Sequence, residues 1–399
     1  MASVLASTAE GKTLMSLGRF RAMLRGLSCY EAWTLPPRLS WALLKGLRLT
    51  RPATAGTGTW LHPYCPPVGT LAYRRYLRGL VRLSRGEAVP LVAHISVTDI
   101  CRNRCARCSN LSTEPCTPPL ENLQDLIVQL REAGTVCIAF TGGEPLQRSD
   151  LAALVAACAP QIATILFSAG DGLTVECARK LRVAGLGAAY ISLDHFDAGE
   201  HDKMRGRMGA FDDAIQAISA CRDAGLYTAV QAVVEPSLLR DDGLHQFLDY
   251  CSTLRVHDIM LLDMIPVRAS RNCGELNPAE REILAAAHRI SLSDARSPKV
   301  SAMAFLESPD FLGCQAGFSF LYVATNGEVF PCDLAPVSFG NVYREGAADV
   351  LSRMQRCFRT PSCRCLGRDL DQFRMSDYQA GEMPGYMRAI IPTSARQTR

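Results

Sequence analysis

Three cysteines stand close together in the run Val97-Thr98-Asp99-Ile100-Cys101-Arg102-Asn103-Arg104-Cys105-Ala106-Arg107-Cys108. The spacing is C-x3-C-x2-C, directly after the apolar stretch Leu91–Val97. Three thiolates cannot all pair with one another as disulfides. They can hold three corners of a cubane iron–sulfur cluster and leave its fourth iron open. An open iron is a place where a small molecule chelates and receives an electron. Zinc is the competing occupant, but a structural zinc site takes four protein ligands. The nearest further cysteine, Cys116, lies beyond Pro115.

A second feature follows the apolar stretch Val136–Phe140, in Thr141-Gly142-Gly143-Glu144-Pro145. Two residues without Cβ atoms let the backbone lie close against a polar ligand, and a carboxylate there can grip a cation. An ordinary turn is the plainer reading of the same residues. A third feature is the set Cys314, Cys332, Cys357, Cys363 and Cys365, spaced Cys314-x12-Gly327-x4-Cys332 and then C-x5-C-x-C. Between its first two members, Asn326-Gly327 is a hairpin turn flanked by β-forming residues. A hairpin brings Cys314 and Cys332 towards one site, which the later cysteines close.

The triad and the Gly-Gly-Glu-Pro run, in this order and at this distance, resemble the two signatures of the radical S-adenosylmethionine (SAM) superfamily. The resemblance covers roughly residues 91–264. It implies a 4Fe–4S cluster on Cys101, Cys105 and Cys108, with SAM chelating the open iron. It also implies that Gly142, Gly143, Glu144 and Pro145 face the methionine moiety, with Glu144 accepting from its ammonium. The segment Ser192-Leu193-Asp194-His195-Phe196-Asp197 and the loop after it resemble the family's SAM-proximal strand. By that match Ser192 and Asp194 touch SAM ribose or substrate, Arg205 pairs with the SAM carboxylate, and Ser168 joins this set. The alternatives are Asp194 as a helix cap, Arg205 paired with Asp202, and His195 as a hydrogen-bonded turn residue rather than a proton shuttle.

The C-terminal set resembles the SPASM/twitch extension of the same enzymes. A full SPASM domain carries seven cysteines with a C-x2-C-x5-C-x3-C portion, whereas this chain has five. The resemblance therefore implies one auxiliary 4Fe–4S cluster, on Cys314, Cys332 and two of Cys357, Cys363 and Cys365. A zinc on four of these thiolates is the alternative. The implied activity is reductive cleavage of SAM to a 5′-deoxyadenosyl radical, which takes hydrogen from an unactivated carbon. The substrate classes are a peptide undergoing maturation, a natural product or metabolite, or a lipid-like or acidic molecule at a membrane surface. An external electron donor such as flavodoxin or ferredoxin is required. A non-catalytic iron–sulfur or zinc protein has no use for chemistry-bearing residues at successive strand ends.

The elements that position these residues alternate. Strand-like stretches at Leu91–Val97, Val136–Phe140, Ala163–Ser168, Ala188–Leu193, Tyr227–Val234 and Asp258–Met264 are separated by helical patterns. That alternation predicts an α/β fold, a partial (β/α)6 TIM-like barrel with functional residues at the strand C-termini. Gln231 lies within the fifth strand, and Pro266 and Arg268 follow the sixth. The expected division is a helical extension over 1–90, the barrel over 91–300, and a small Cys-rich hairpin and helix domain over 301–399.

The chain of 399 residues carries a net charge of +4, unevenly: residues 1–90 sum to +10 and the remainder to −6. The same first stretch holds Trp33, Trp41 and Trp60, with Leu17, Phe20, Leu24 and Leu27 at helical spacing. This is either a helical lid with a solvated arginine face or a segment that lies on a membrane. No apolar run reaches spanning length and no secretory pattern opens the chain. Seventeen cysteines in so long a chain fit a reduced, cytoplasmic and oxygen-sensitive protein, in part peripheral to a membrane. No nucleic-acid partner is expected.

Overall fold

The computed structural model describes residues 30–33, 35–110, 116–265, 274–294 and 296–368, with two further strands, Tyr378–Ala380 and Met387–Ala389. Leu17, Phe20, Leu24, Leu27, Pro266 and Arg268 lie outside the described residues, as does the side chain of Trp33.

A hairpin of β1 (Ala53–Ala55) and β2 (Gly58–Trp60) precedes the main sheet. The six expected strands follow as β3 (Val92–Ser96), β4 (Cys137–Thr141), β5 (Ala163–Ser168), β6 (Ala188–Ser192), β7 (Tyr227–Val234) and β8 (Asp258–Asp263). They pair in sequence order and all in parallel. Helices pack outside, for example Leu120–Ala133, which buries Leu123, Leu126, Ile127 and Leu130 on one face. The architecture is the expected α/β partial barrel, extended at both edges. Beyond β8 lies β9 (Lys299–Ala302), and beyond β3 lie β10 (Phe320–Val323) and β11 (Val329–Phe330).

Both faces of the sheet are buried, and alternate residues go to different cores. Ile138, Phe140, Ala189 and Ile191 pack under the helices. Cys137, Ala139, Ala188 and Tyr190 point into the barrel. There Trp60 of the hairpin is fully buried, its ring centroid 5.5 Å from that of Tyr227. Beside them Lys299 Nζ and Asp258 Oδ2 form a buried ion pair at 2.9 Å, and Ser301 Oγ donates to the same oxygen at 3.0 Å. This packing plugs the barrel at the ends where β8 and β9 begin, and leaves space towards the opposite ends of the strands.

One connection matters for the site. After β9 the chain does not continue outward. It forms the short helix Met303–Leu306, runs through residues 307–319, and re-enters the sheet as β10 against β3, at the far edge. Residues 303–319 therefore pass across the gap between the two edges of the open barrel.

Candidate active site

The cysteine triad occupies the loop after β3, and backbone contacts hold that loop on three sides. Asp99 N–H donates to Cys116 O at 2.9 Å, and Asp99 Oδ2 accepts from Cys116 N–H at 3.1 Å and from Thr325 Oγ1 at 2.6 Å. Arg104 N–H donates to Arg205 O at 2.9 Å. Gly143 N–H donates to Thr98 O at 2.6 Å, and Glu144 N–H to Ile100 O at 2.8 Å. That last pair explains the double glycine. A Cβ on Gly142 would lie 2.4 Å from Thr98 O, and one on Gly143 would lie 2.4 Å from Ile100 O. Gly142 also has φ +127°, where side chains are strained. The glycines let one backbone lie flat against the cysteine loop, while both still line the cavity beside it.

Glu144 is buried behind that wall. Its Oε1 accepts from Ser168 Oγ at 2.7 Å and Leu146 N–H at 3.1 Å, and its Oε2 accepts from Ala169 N–H at 2.7 Å. Burial pushes its carboxyl up to about 7 in spite of these donors. Pro145 opens the single 3-10 turn that follows, also buried. Ser168 and Ser192 reach the cavity from the ends of β5 and β6, as does Gln231 from β7. His195 forms a local turn instead, its Nδ1 accepting from Asp197 N–H at 2.9 Å.

Asp194 is fully buried at the centre of a charge network. Its Oδ2 meets Arg107 Nη2 at 2.6 Å and also Arg205 Nη2, and its Oδ1 accepts from Val233 N–H at 3.0 Å. Burial alone would raise the Asp194 carboxyl, but the two guanidinium groups outweigh it and hold the group at about 2. Arg205 carries this charge to the thiols, with Nη1 4.0 Å from Cys105 Sγ. Arg107, between the last two cysteines, is almost fully buried and also bonds Glu235 Oε1 at 2.6 Å. Asp202 is used elsewhere, accepting from Gly209 and Phe211 N–H.

The second cysteine set divides. Cys314, Cys332 and Cys365 line the same cavity as the triad, a space of about 560 Å³. Cys357 ends the helix Ala347–Cys357 and is exposed, as is Cys363, and neither lines the cavity. Backbone bonds of 2.9 Å in both directions between Cys314 and Ser362 tie the two parts of the set together. The Cys365 thiol beside Cys314 lowers the Cys314 thiol, whereas burial pushes Cys332 well up. None of the fifteen described cysteines is in a disulfide, and six of them face this one cavity.

A family model described as the radical SAM superfamily matches residues 95–248, and a second, SPASM, described as an iron–sulfur cluster-binding domain, matches residues 314–368. The chain belongs to the radical SAM superfamily. Among curated relatives, the AdoMet-dependent heme synthase of Nitratidesulfovibrio vulgaris is 26% identical over 66% of this chain and 80% of that protein. The sporulation killing factor maturation protein SkfB of Bacillus subtilis is 23% identical over 70% of each. The crystal structure of Streptococcus suis SuiB bound to S-adenosylmethionine shares the fold, with a TM-score of 0.57 and 16% identity over 70% of each chain.

This radical SAM enzyme works with 4Fe–4S clusters and SAM, and its cavity suits both. Six thiols, glycine backbone, two serines and the Arg205 side chain all line it. The sequence pattern did not single out Arg107, although it stands inside the triad. It also missed the interior wall formed by His62, Tyr64, His94, Phe167 and Phe320. There His94 lies 4.5 Å from Phe320 and 5.4 Å from Tyr64 between ring centroids. Burial pulls His62 and His94 down to about 3, so both rings are neutral. Their Nε2 atoms are buried without a hydrogen-bond partner among the described residues.

Proposed function

We propose that this enzyme binds its SAM-cleaving cluster on Cys101, Cys105 and Cys108 and acts on a peptide substrate held in the cavity between its two cysteine sets. The observation that carries the reading is the single space faced by both sets. When bound, the cluster supplies the electron that splits SAM, and the 5′-deoxyadenosyl radical produced takes a hydrogen from an unactivated substrate carbon. The chain's own residues bind and orient. Gly142 and Gly143 bring backbone to the methionine moiety. Ser168, Ser192 and Arg205 offer polar contacts along SAM. Glu144 and Asp194 act as positioning residues, through Ser168 and Arg205 respectively. The aromatic wall around His94 excludes water from the reacting carbon.

Cys314, Cys332 and Cys365 contribute to an auxiliary cluster at the other end. In this reading residues 91–300 form the catalytic barrel, residues 301–399 the auxiliary part, and residues 1–90 an extension that plugs the barrel. A flavodoxin- or ferredoxin-type donor fits the exposed side of the triad loop, where Ile100 is 51% exposed. A peptide is supported by SuiB, solved with its precursor peptide SuiA, and by the maturation role in the name of SkfB. The test is deuterium transfer into 5′-deoxyadenosine from uniformly deuterated peptides encoded beside the gene. Transfer supports the reading. Transfer only from a deuterated tetrapyrrole, lipid or small metabolite overturns the peptide assignment.

A second reading concerns the cytoplasmic face of a membrane. The helix Pro37–Arg48 exposes Trp41 and Leu44 beside Lys45 and Arg48, within the +10 region. No helix of the described residues is long and apolar enough to cross a membrane. A surface contact with anionic lipid predicts that the chain floats with phosphatidylserine vesicles and that Trp41→Ala releases it. Equal behaviour with and without vesicles would contradict the contact.

A further inference from the structure

The auxiliary site needs a fourth donor, and the sequence offers Cys357 and Cys363 for it. Both are exposed and neither lines the cavity. The structure brings another group there. Glu307 begins the stretch that follows the helix Met303–Leu306 and crosses the gap in the barrel. A Glu307 carboxylate oxygen, Cys314 Sγ and Cys365 Sγ all lie within 4.8 Å of one another.

Two further observations point the same way. Asp263, which also faces the cavity, is neutralised by Arg281 at 2.9 Å and Arg368 at 2.6 Å. The Glu307 backbone N–H donates to Met303 O at 2.9 Å, but its carboxylate makes no hydrogen bond or ion pair among the described residues. Arg281 is the nearby cation that acts on Glu307, and it is already paired with Asp263. A carboxylate lodged against two thiols, with no donor and no ion pair of its own, is costly unless a cation joins it. Asp333, beside Cys332, also lacks a cationic partner among the described residues. It lies outside the group formed by Glu307, Cys314 and Cys365, as Cys332 does, and Cys332 joins the site as a thiol that lines the same cavity.

We propose that Glu307 is the fourth protein ligand of the auxiliary iron–sulfur site, completing Cys314, Cys332 and Cys365. This rests on the reading of that site as a cluster, and it is independent of what the triad does. The ligand set is then three thiolates and one carboxylate. Its carboxylate member comes from the end of the barrel and not from the Cys-rich segment. One iron differs from the other three in ligand and so in spectrum, since ligand type and net charge set the properties of such clusters. The arrangement also gives the chain crossing a purpose: residues 303–319 carry both Glu307 and Cys314 to the cavity wall.

The test uses the full-length chain with Cys101→Ala, Cys105→Ala and Cys108→Ala, so that only the auxiliary site is read. Iron, sulfide and zinc per chain are measured after anaerobic reconstitution, with the electron paramagnetic resonance spectrum of the dithionite-reduced protein. The expected content is about four irons. Glu307→Ala should lower it to about three or fewer, with a changed spectrum. Glu307→Cys should restore about four irons with a spectrum unlike that of the parent. The double variant C357A/C363A should keep both iron and spectrum. Glu307→Gln, nearly isosteric, guards against simple misfolding: it should fold by circular dichroism and still change the spectrum.

An unchanged spectrum in both the Gln and Ala variants would overturn the assignment. So would loss of the cluster in C357A/C363A, or one zinc in place of iron. A chain that keeps SAM cleavage in the intact triad background but binds no second cluster would also overturn it, leaving the radical chemistry untouched.

Discussion

Replacing Glu144 with Gln tests whether a buried carboxyl props up the glycine wall of the cavity. Burial raises this group from 4.5 to about 7. Below about pH 4.5 the carboxyl is neutral in the folded and unfolded chains alike. Between there and about 7 the unfolded chain releases its proton while the folded chain keeps it, so stability falls as pH rises. Above about 7 the folded state carries the whole cost of the buried charge, about 3 kcal/mol relative to acid pH. Gln cannot ionise, so Glu144→Gln lacks this slope. It has a separate, pH-independent cost. Its single amide oxygen cannot serve Ser168, Leu146 and Ala169 together, and one buried donor left unpaired costs about 1–3 kcal/mol. Urea unfolding of the iron-free chain under reductant, at about pH 5 and about pH 8, reads both. The variant should be the weaker protein at the lower pH and should gain on the parent by up to about 3 kcal/mol at the higher one. Parallel pH profiles for the two proteins would refute the buried-charge argument.

Other outcomes follow from the same geometry. Gly143→Ala drives a methyl into Ile100 O and displaces the cysteine loop, so SAM cleavage should fall on the order of a hundredfold while far-UV dichroism is kept. Lys299→Met leaves Asp258 buried and uncompensated, at a cost of about 3–5 kcal/mol in urea unfolding, most of which the double variant K299M/D258N should recover. Arg107→Met strips Glu235 of its buried partner and leaves Asp194 to Arg205, at a cost of about 3 kcal/mol that thermal unfolding would register.

The barrel was legible because its strands are buried on both faces, which leaves short apolar runs between amphipathic helices. Tyr227–Val234 and Ala163–Ser168 have the bounds that their composition suggests. The triad was legible because metal ligands on one loop must be close in sequence. What the pattern hid was produced by long-range closure. Nothing in Phe320–Val323 says that it pairs with β3, more than two hundred residues earlier, and that pairing carries Cys314 and Glu307 across the barrel gap. No sequence pattern links His62 and His94, because one lies in the loop after the β1–β2 hairpin and the other on β3. Arg107 was passed over because a basic residue in a loop is ordinarily solvated, whereas here Asp194 and Glu235 draw it inside. The glycine pair was read for its approach to a ligand, and the structure adds its approach to the cysteine loop itself.

The most direct test of the account is iron per chain together with dithionite-driven 5′-deoxyadenosine formation from SAM, compared among the parent, Cys105→Ala and Cys332→Ala. The account predicts about eight irons and product for the parent, and about four irons without product for Cys105→Ala. For Cys332→Ala it predicts about four irons with product retained. Product from Cys105→Ala, or zinc in place of iron with no product from the parent, would contradict it.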